Sequence, residues 1–398
     1  MANDLLIRNV RPMGGATVDV LVRDGRIAAL GQGLSAPGVP VEEGGGAILA
    51  PGLVEAHTHL DKTLLGMGWH PNSAGPRLID KITNERRLKK ELNIDSARQS
   101  ARQVVLSSSH GSTHILSHVD VDTDVGLSGM RGVLETAARY ADVLTLQTVA
   151  FPQSGLLIRP GTLELLTEAM AMGADFVGGL DPCAIDRDPK GHVDAVFALA
   201  ERFGKPVDIH LHEPSTMGAF SMELILDRTR ALGMKGKVTV SHAFCLGDPD
   251  PALVEPLIEQ LVELDVAIMT TGPASRPAPP IARLRKAGVR VCSGNDGIRD
   301  TWGPYGNADM LERAMFLGLR NNFRRDEEVE IAFEVCTSGG AAVVGIEGYG
   351  LEVGCVADLV LLTGETITDA VVSRHKRPLV VKRGKVVARD GACLVEAP

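Results

Sequence analysis

Paired cysteines, an excess of positive charge and long apolar runs are all scarce in this sequence. The six cysteines (Cys183, Cys245, Cys292, Cys336, Cys355 and Cys393) are widely spaced, and none stands in a CxxC pair. That spacing argues against a thiolate zinc site and against a disulfide framework. Each cysteine is expected to be a small buried apolar residue. With 41 Lys and Arg against 50 Asp and Glu, the formal net charge is -9, so no electrostatic footprint for nucleic acid is present. The one dense basic run, Arg86, Arg87, Lys89 and Lys90, reads as the solvated face of a helix. The N-terminal residues show no basic stretch followed by an apolar segment, and no run approaches the roughly 18 apolar residues that a membrane span needs. No membrane partner is expected, and the cytoplasm is the expected compartment.

What is present is a large globular composition: 398 residues, 44% hydrophobic and 23% charged. Single cores stop growing at roughly 250 to 300 residues, so one large domain with a smaller companion is expected. The two ends resemble each other. LLIRNV and VDVLVRDGRIAAL near the start, and ADLVLLTG and PLVVKRGKVVARDG near the end, are β-branched runs separated by glycine turns. They suggest one small β-sandwich built from residues 1–50 and 350–398. Between them, residues 51–349 alternate short apolar runs with amphipathic stretches, the pattern of βα units on a parallel sheet. Eight candidate strands fall at Leu53 to His57, His114 to Val119, Val143 to Val149, Asp175 to Leu180, Val207 to His210, Val238 to His242, Val266 to Thr270 and Val289 to Ser293. The expected fold class is α/β, a (β/α)₈ TIM-like barrel inserted into the sandwich. The connection after the first strand, from Asp61 to about Asn93, is the longest and is expected to cover the site.

Barrel enzymes carry their chemistry at the C-terminal ends of the strands. Here those ends read His57-Thr58-His59, His210-Leu211-His212-Glu213, Ser241-His242 and, after strand eight, Asn295-Asp296. Alternation along a strand lets His57 and His59 face the same way. Imidazoles with a carboxylate suit a catalytic zinc or ferrous ion that keeps a position open for water. His57, His59, His210 and Asp296 are therefore the expected ligands of one divalent ion. Asp296 would take a proton from the activated water, Glu213 would protonate the substrate, and His242 would stabilise charge on the reacting carbon. His212 either touches substrate or fills space. His118, Asp120 and Asp122 follow strand two and, with Asp61, are expected to support the ligands.

The strings PGLVEAHTHLDK, HVDVD, LQTVAFPQSG, HLHE, SHAF and GNDGIRDTWGPYGNADM occur in the order and at the strand ends of the amidohydrolase superfamily. The chain resembles its branch of cytosine deaminases and N-isopropylammelide isopropylaminohydrolases. GYGLEVGCVADLVLL resembles that family's return into the small sheet, so the likeness spans nearly the whole chain. The resemblance implies a mononuclear site, and the fourth strand, FVGGLDP, offers none of the bridging lysine of binuclear relatives. It also implies Gln147 as the reader of a lactam edge, with Phe151 and Trp302 as apolar walls for a flat ring, and a homo-oligomeric assembly. Two positions depart from the cytosine deaminase pattern: Gly297 stands where a second aspartate is usual, and His212 precedes Glu213.

The expected activity is hydrolytic removal of an amino or alkylamino group from a cytosine-type heterocycle, with an s-triazine as the alternative substrate class. Ring opening of a cyclic amide or imide would use the same activated water and differ in the bond that breaks. A non-catalytic scaffold would have lost ligands that this sequence keeps.

Overall fold

The structure, a computed structural model, describes residues 3–398. The chain opens with β1 (Leu5–Pro12), β2 (Val18–Arg23), β3 (Arg26–Gly31), β4 (Val41–Glu43) and β5 (Ile48–Pro51). The barrel follows as β6 (Leu53–Thr58), β7 (Ser112–Asp120), β8 (Thr145–Phe151), β9 (Phe176–Leu180), β10 (Val207–His210), β11 (Val238–Ser241), β12 (Ala267–Met269) and β13 (Val291–Cys292). The chain then returns through β14 (Leu359–Leu362), β15 (Leu379–Lys382), β16 (Lys385–Arg389) and β17 (Ala392–Cys393).

The terminal strands form one nine-stranded sheet in the order β17-β16-β15-β14-β5-β1-β2-β3, with β4 alongside β1. The two ends of the chain meet where β5 pairs antiparallel with β14, Ile48 opposite Leu362 and Pro51 opposite Leu359. Both faces of this seam are used. In β14, Leu359 and Leu361 enter the small sheet's own core, whereas Val360 and Leu362 pack into the large core around the barrel. The two-residue period of a strand thus welds the small sheet to the barrel with one apolar run.

Eight barrel strands pair in parallel from β6 to β13. Within β10, Val207 and Ile209 pack into the large core, and the alternate residues Asp208 and His210 are buried on the other side. Closure is narrow. A parallel bridge joins Thr58 to Asp296, supported by Asp296 N–H donating to the His57 carbonyl at 2.9 Å and the Thr58 hydroxyl donating to the Asp296 carbonyl at 2.9 Å. Gly294 is what lets the chains approach, since a Cβ there would lie 2.3 Å from the His57 carbonyl oxygen and 2.5 Å from its nitrogen.

The eight expected barrel strands are all present, with shifted ends. The third begins at Thr145 because Val143 still belongs to the turn, its N–H donating to the Tyr140 carbonyl at 2.8 Å. The long connection after β6 contains the helix Leu78–Glu91, and here the solvated-face expectation is corrected. Lys90 and Arg87 are exposed, but Lys89 is buried with Glu85, and Arg86 is half-buried against Asp124. The carboxylates at and beyond the end of β7 supply the partners that let these cations leave water. Of the cysteines, Cys245, Cys292 and Cys336 are buried as expected, while Cys183, Cys355 and Cys393 are only partly so, and all six are free. Among the described residues, no helix is long and apolar enough to cross a membrane.

Gly294→Ala tests the closure. Overpacking against backbone that cannot move aside should cost about 3 kcal/mol, read as a lowered denaturation midpoint with an unchanged denaturant slope.

Candidate active site and metal centre

The imidazoles of His57, His59, His210 and His242 and the carboxylate of Asp296 converge at the C-terminal mouth of the barrel. One ligand atom each from His57, His210 and His242 lie within 4.8 Å of one another, and so do atoms from His57, His59 and Asp296. His59 Nε2 stands 3.2 Å from Asp296 Oδ1, and His57 Nε2 stands 3.7 Å from it. The expected ligands His57, His59, His210 and Asp296 are therefore together. Buried nitrogens without a hydrogen-bond partner, at His57 Nε2, at both ring nitrogens of His210 and at His242 Nε2, are what a divalent cation would satisfy. Burial, reinforced by the neighbouring rings, holds the pKa of His210 and of His242 well below the ordinary range, so both are neutral and have lone pairs to give.

Residues behind the ligands fix the tautomer of His57. Ser241 Oγ gives its proton to Asp208 Oδ1 at 2.6 Å, which leaves the Ser241 hydroxyl oxygen to accept from His57 Nδ1 at 3.1 Å. The lone pair of His57 is thereby directed to Nε2, on the side of Asp296. Phe151 stacks on His210 with ring centroids 4.1 Å apart and planes at 22°. His118 packs on His57 with ring centroids 3.9 Å apart. Asp61 is also behind the site, accepting from the Asp120 N–H at 3.2 Å. Burial, and then the charge of Asp120, push its pKa up to about 7.

Glu213 and His212 are held by the segment after β9. A single π-helical turn, Pro182–Asp186, presents the N–H groups of Cys183 and Ala184 to Glu213 Oε1 at 2.8 and 2.7 Å. Ser221 Oγ donates to Oε2. Burial nevertheless raises the Glu213 pKa. Asp181 grips its neighbour twice, accepting from the His212 N–H at 2.6 Å and lying 2.7 Å from His212 Nδ1. Burial opposes protonation of His212, but the Asp181 charge outweighs it and the pKa is raised. The turn is in turn fixed by Asp186, which lies 2.6 Å from His192 Nδ1 and accepts the N–H groups of Leu156, Leu157 and Ile158. Positive φ angles at Asp181 (36°), His242 (72°), Ala243 (44°) and Asp296 (64°) concentrate backbone strain where these side chains are aimed.

These groups open into a cavity of about 680 Å³ whose walls include Lys62, Gln153, His212, Glu213, Asp300 and Trp302. Pro76, Arg77, Leu78 and Lys81 of the long connection also line it, so that segment does border the site. Two expectations fail. Gln147 sits early in β8 with its amide donating to the Val344 carbonyl at 3.4 Å, so it points away from the mouth at β8's far end. Phe151 is fully buried and stacks on His210 instead of forming a substrate wall. Gln153, two residues past that strand, is the glutamine that reaches the cavity. Asp120 stands 4.0 Å from His59 Nδ1 but also pairs with Lys62 and Lys89. The departure at Gly297 has a physical reason, because a Cβ there would meet Asp300 Oδ2 at 1.9 Å. Asp300 fills that space, with burial raising its pKa to about 6. Lys62, Gln153, Asp181, Asp208, Ser241 and Asp300 were not singled out by the sequence. Only Asp208 and Ser241, on the strands of His210 and His242, carried a positional signal.

The sequence of residues 97–388 matches the model of the Amidohydrolase family. This chain belongs to the amidohydrolase family. The N-isopropylammelide isopropyl amidohydrolase of Pseudomonas sp. (strain ADP) is 31% identical over 353 residues, 87% of each chain. Among solved structures, N-isopropylammelide isopropylaminohydrolase from Burkholderia multivorans ATCC 17616 superposes with a TM-score of 0.96 at 51% identity, over 98% of this chain and 100% of that one. The 5-methylcytosine deaminase of Klebsiella pneumoniae, liganded with 5-fluorocytosine, gives 0.87 at 27%, over 98% and 99%. As an amidohydrolase the chain is a metal-dependent enzyme acting on C–N bonds.

Ser241→Ala removes the hydroxyl between Asp208 and His57 and frees the ring to adopt the other tautomer. Metal affinity, measured by competition with a chromogenic chelator, should fall roughly 10- to 100-fold with the fold intact.

Proposed function

We propose that the chain is an aminohydrolase that removes an alkylamino group from an oxo-substituted s-triazine of the N-isopropylammelide type. The observation that carries this reading is the pairing, in one cavity, of the imidazole–carboxylate cluster with Gln153. Lys62 Nζ donates to Gln153 Oε1 at 2.6 Å, so the carbonyl end of that amide is occupied and its NH₂ end is left to meet a ring oxygen. Phe244, Met217 and Pro214 line the same cavity and suit an alkyl group on the departing nitrogen. The similarity to isopropylaminohydrolases over the full chain supports the same substrate class.

His57, His59, His210 and Asp296 would hold one divalent ion, zinc or iron. When bound, such an ion lowers the pKa of water from 15.7 to as low as about 7 and so supplies a nucleophile at neutral pH. Asp296, with its side chain 39% exposed to the cavity, is placed to accept the proton of the attacking water. His242 Nε2, 4.0 Å from Asp296 Oδ2, flanks the same position and stabilises charge on the ring carbon. Glu213 delivers a proton to the nitrogen that leaves, so that the C–N bond breaks to a neutral amine. His212, stacked on His242 at 4.3 Å and held by Asp181, orients substrate at the cavity wall. Trp302 forms the apolar face for the ring. We assign residues 1–50 with 350–398 to the supporting domain and 51–349 to the catalytic barrel, and expect a homo-oligomer.

Removal of ammonia from a cytosine-type pyrimidine is the second reading, favoured by the likeness to 5-methylcytosine deaminase. A panel of N-isopropylammelide, cytosine and 5-methylcytosine, incubated with metal-loaded protein, separates the two. Isopropylamine release is expected, whereas ammonia from the pyrimidines alone would favour the second reading, and no turnover at all would refute both. Glu213→Gln should keep its metal and lose roughly 100- to 10,000-fold in kcat.

A further inference from the structure

The long connection brings two ionisable residues into the protein interior, and nothing in the reaction just described uses them. Glu85 and Lys89 lie one helical turn apart on Leu78–Glu91, and both are buried. Lys89 Nζ bonds to Asp120 Oδ2 and lies 3.7 Å from Asp122. Glu85 lies 3.0 Å from Lys62 Nζ. Lys62 also donates to Asp120 at 3.2 Å and to Gln153 Oε1 at 2.6 Å. The hydrogen bonds of Lys62 thus run to Asp120 and Gln153, while Glu85 Oε1 faces it as an ion-pair partner without a hydrogen bond of its own.

This chain of contacts has a direction. Asp120 faces two lysines, and each lysine keeps its place because other carboxylates share its charge. Removing Lys89 leaves Asp120 with Lys62 alone, and the pull on Lys62 shifts from Gln153 towards Asp120. The Gln153 amide would then be free to turn over, presenting its carbonyl to the substrate instead of its NH₂. We propose that Lys89 is a positioning residue that sets the orientation of the Gln153 amide through Asp120 and Lys62, and with it the enzyme's choice between oxygen-bearing and amino-bearing ring edges. The inference rests on the proposed aminohydrolase function and adds to it a determinant on the covering helix, remote from the reacting atoms.

The test compares wild type with Lys89→Met, both metal-loaded. kcat/KM is measured for N-isopropylammelide and for the analogue in which one ring oxygen is replaced by an amino group. The oxo-over-amino preference should fall roughly tenfold, most of it in KM, with kcat for the oxo substrate and metal content nearly unchanged. Hydrogen exchange, followed by mass spectrometry without substrate, should speed up at residues 60–64 and 150–156. An unchanged preference would overturn the proposal, as would a uniform fall in kcat for both substrates with loss of metal. If Lys89→Met does not fold, Glu85→Gln releases Lys62 from its other side and should move the preference and the exchange the same way. If wild type turns over neither substrate, the aminohydrolase reading fails by itself, and the exchange measurement still decides whether Lys89 holds the Lys62–Gln153 region.

Discussion

The first and last barrel strands meet along a short seam, with Ala56 N–H donating to the Ser293 carbonyl at 3.2 Å and Thr58 bridged to Asp296 beyond it, and the chemistry of the site hangs on that contact. His57 and His59 flank Thr58 on one side of it, and Asp296 is its other half. Closing the barrel and bringing imidazoles to a carboxylate are therefore the same event. The contact is short because β13 is only Val291–Cys292, after which Gly294 lets the backbone slide under His57 and a left-handed φ at Asp296 turns its side chain to the mouth. Glu55 reinforces it from below, accepting from the Asn295 N–H at 2.8 Å, with burial raising its pKa to about 7. A scaffold that assembles its ligands through closure cannot be partly closed and still bind metal with full affinity.

Around this contact the protein places buried polar groups in relays. Asp208 acts on His57 through Ser241, Asp181 holds His212, and Asp186 with His192 fixes the π-helical turn whose N–H groups hold Glu213. Each relay lets a residue on a barrel strand or its following turn aim a side chain several ångströms away, in a region where an unpaired polar atom would be costly. Among the buried nitrogens left unpaired are His57 Nε2, both ring nitrogens of His210 and His242 Nε2, where a cation would meet them.

Much of this was legible in the sequence, and the reasons differ by residue. The barrel could be read because βα periodicity repeats along the chain, and the convergence of His57, His59, His210 and Asp296 because His-x-His and His-x-His-Glu fall where strands end. The site of β8 was misread by a few residues. Gln147 and Gln153 belong to the same stretch, and choosing between them requires knowing that the strand runs on to Phe151, a boundary that the apolar pattern does not fix. Lys62 and Lys89 were hidden for another reason. A lysine reads as solvent-facing unless its carboxylate partners are known, and Asp120, 31 residues from Lys89, becomes a neighbour only once the helix Leu78–Glu91 folds back over the mouth. Asp300 was invisible because its importance follows from a vacancy at Gly297 that only coordinates reveal.

The seam between β5 and β14 bears on how the chain acquires its shape during synthesis. Ile48 leaves the ribosome long before its partner Leu362, and at roughly 5 to 20 residues per second the gap lasts tens of seconds. Throughout that interval β5 has an edge open on the side that β14 will cover, and the apolar residues Leu49 and Ala50 lack part of their cover. The small sheet is thus not completed until the whole barrel has been made, and an emerging chain carries an aggregation-prone strand edge until then. Holding factors that shield nascent strands should matter more for this architecture than for one whose N-terminal unit folds by itself.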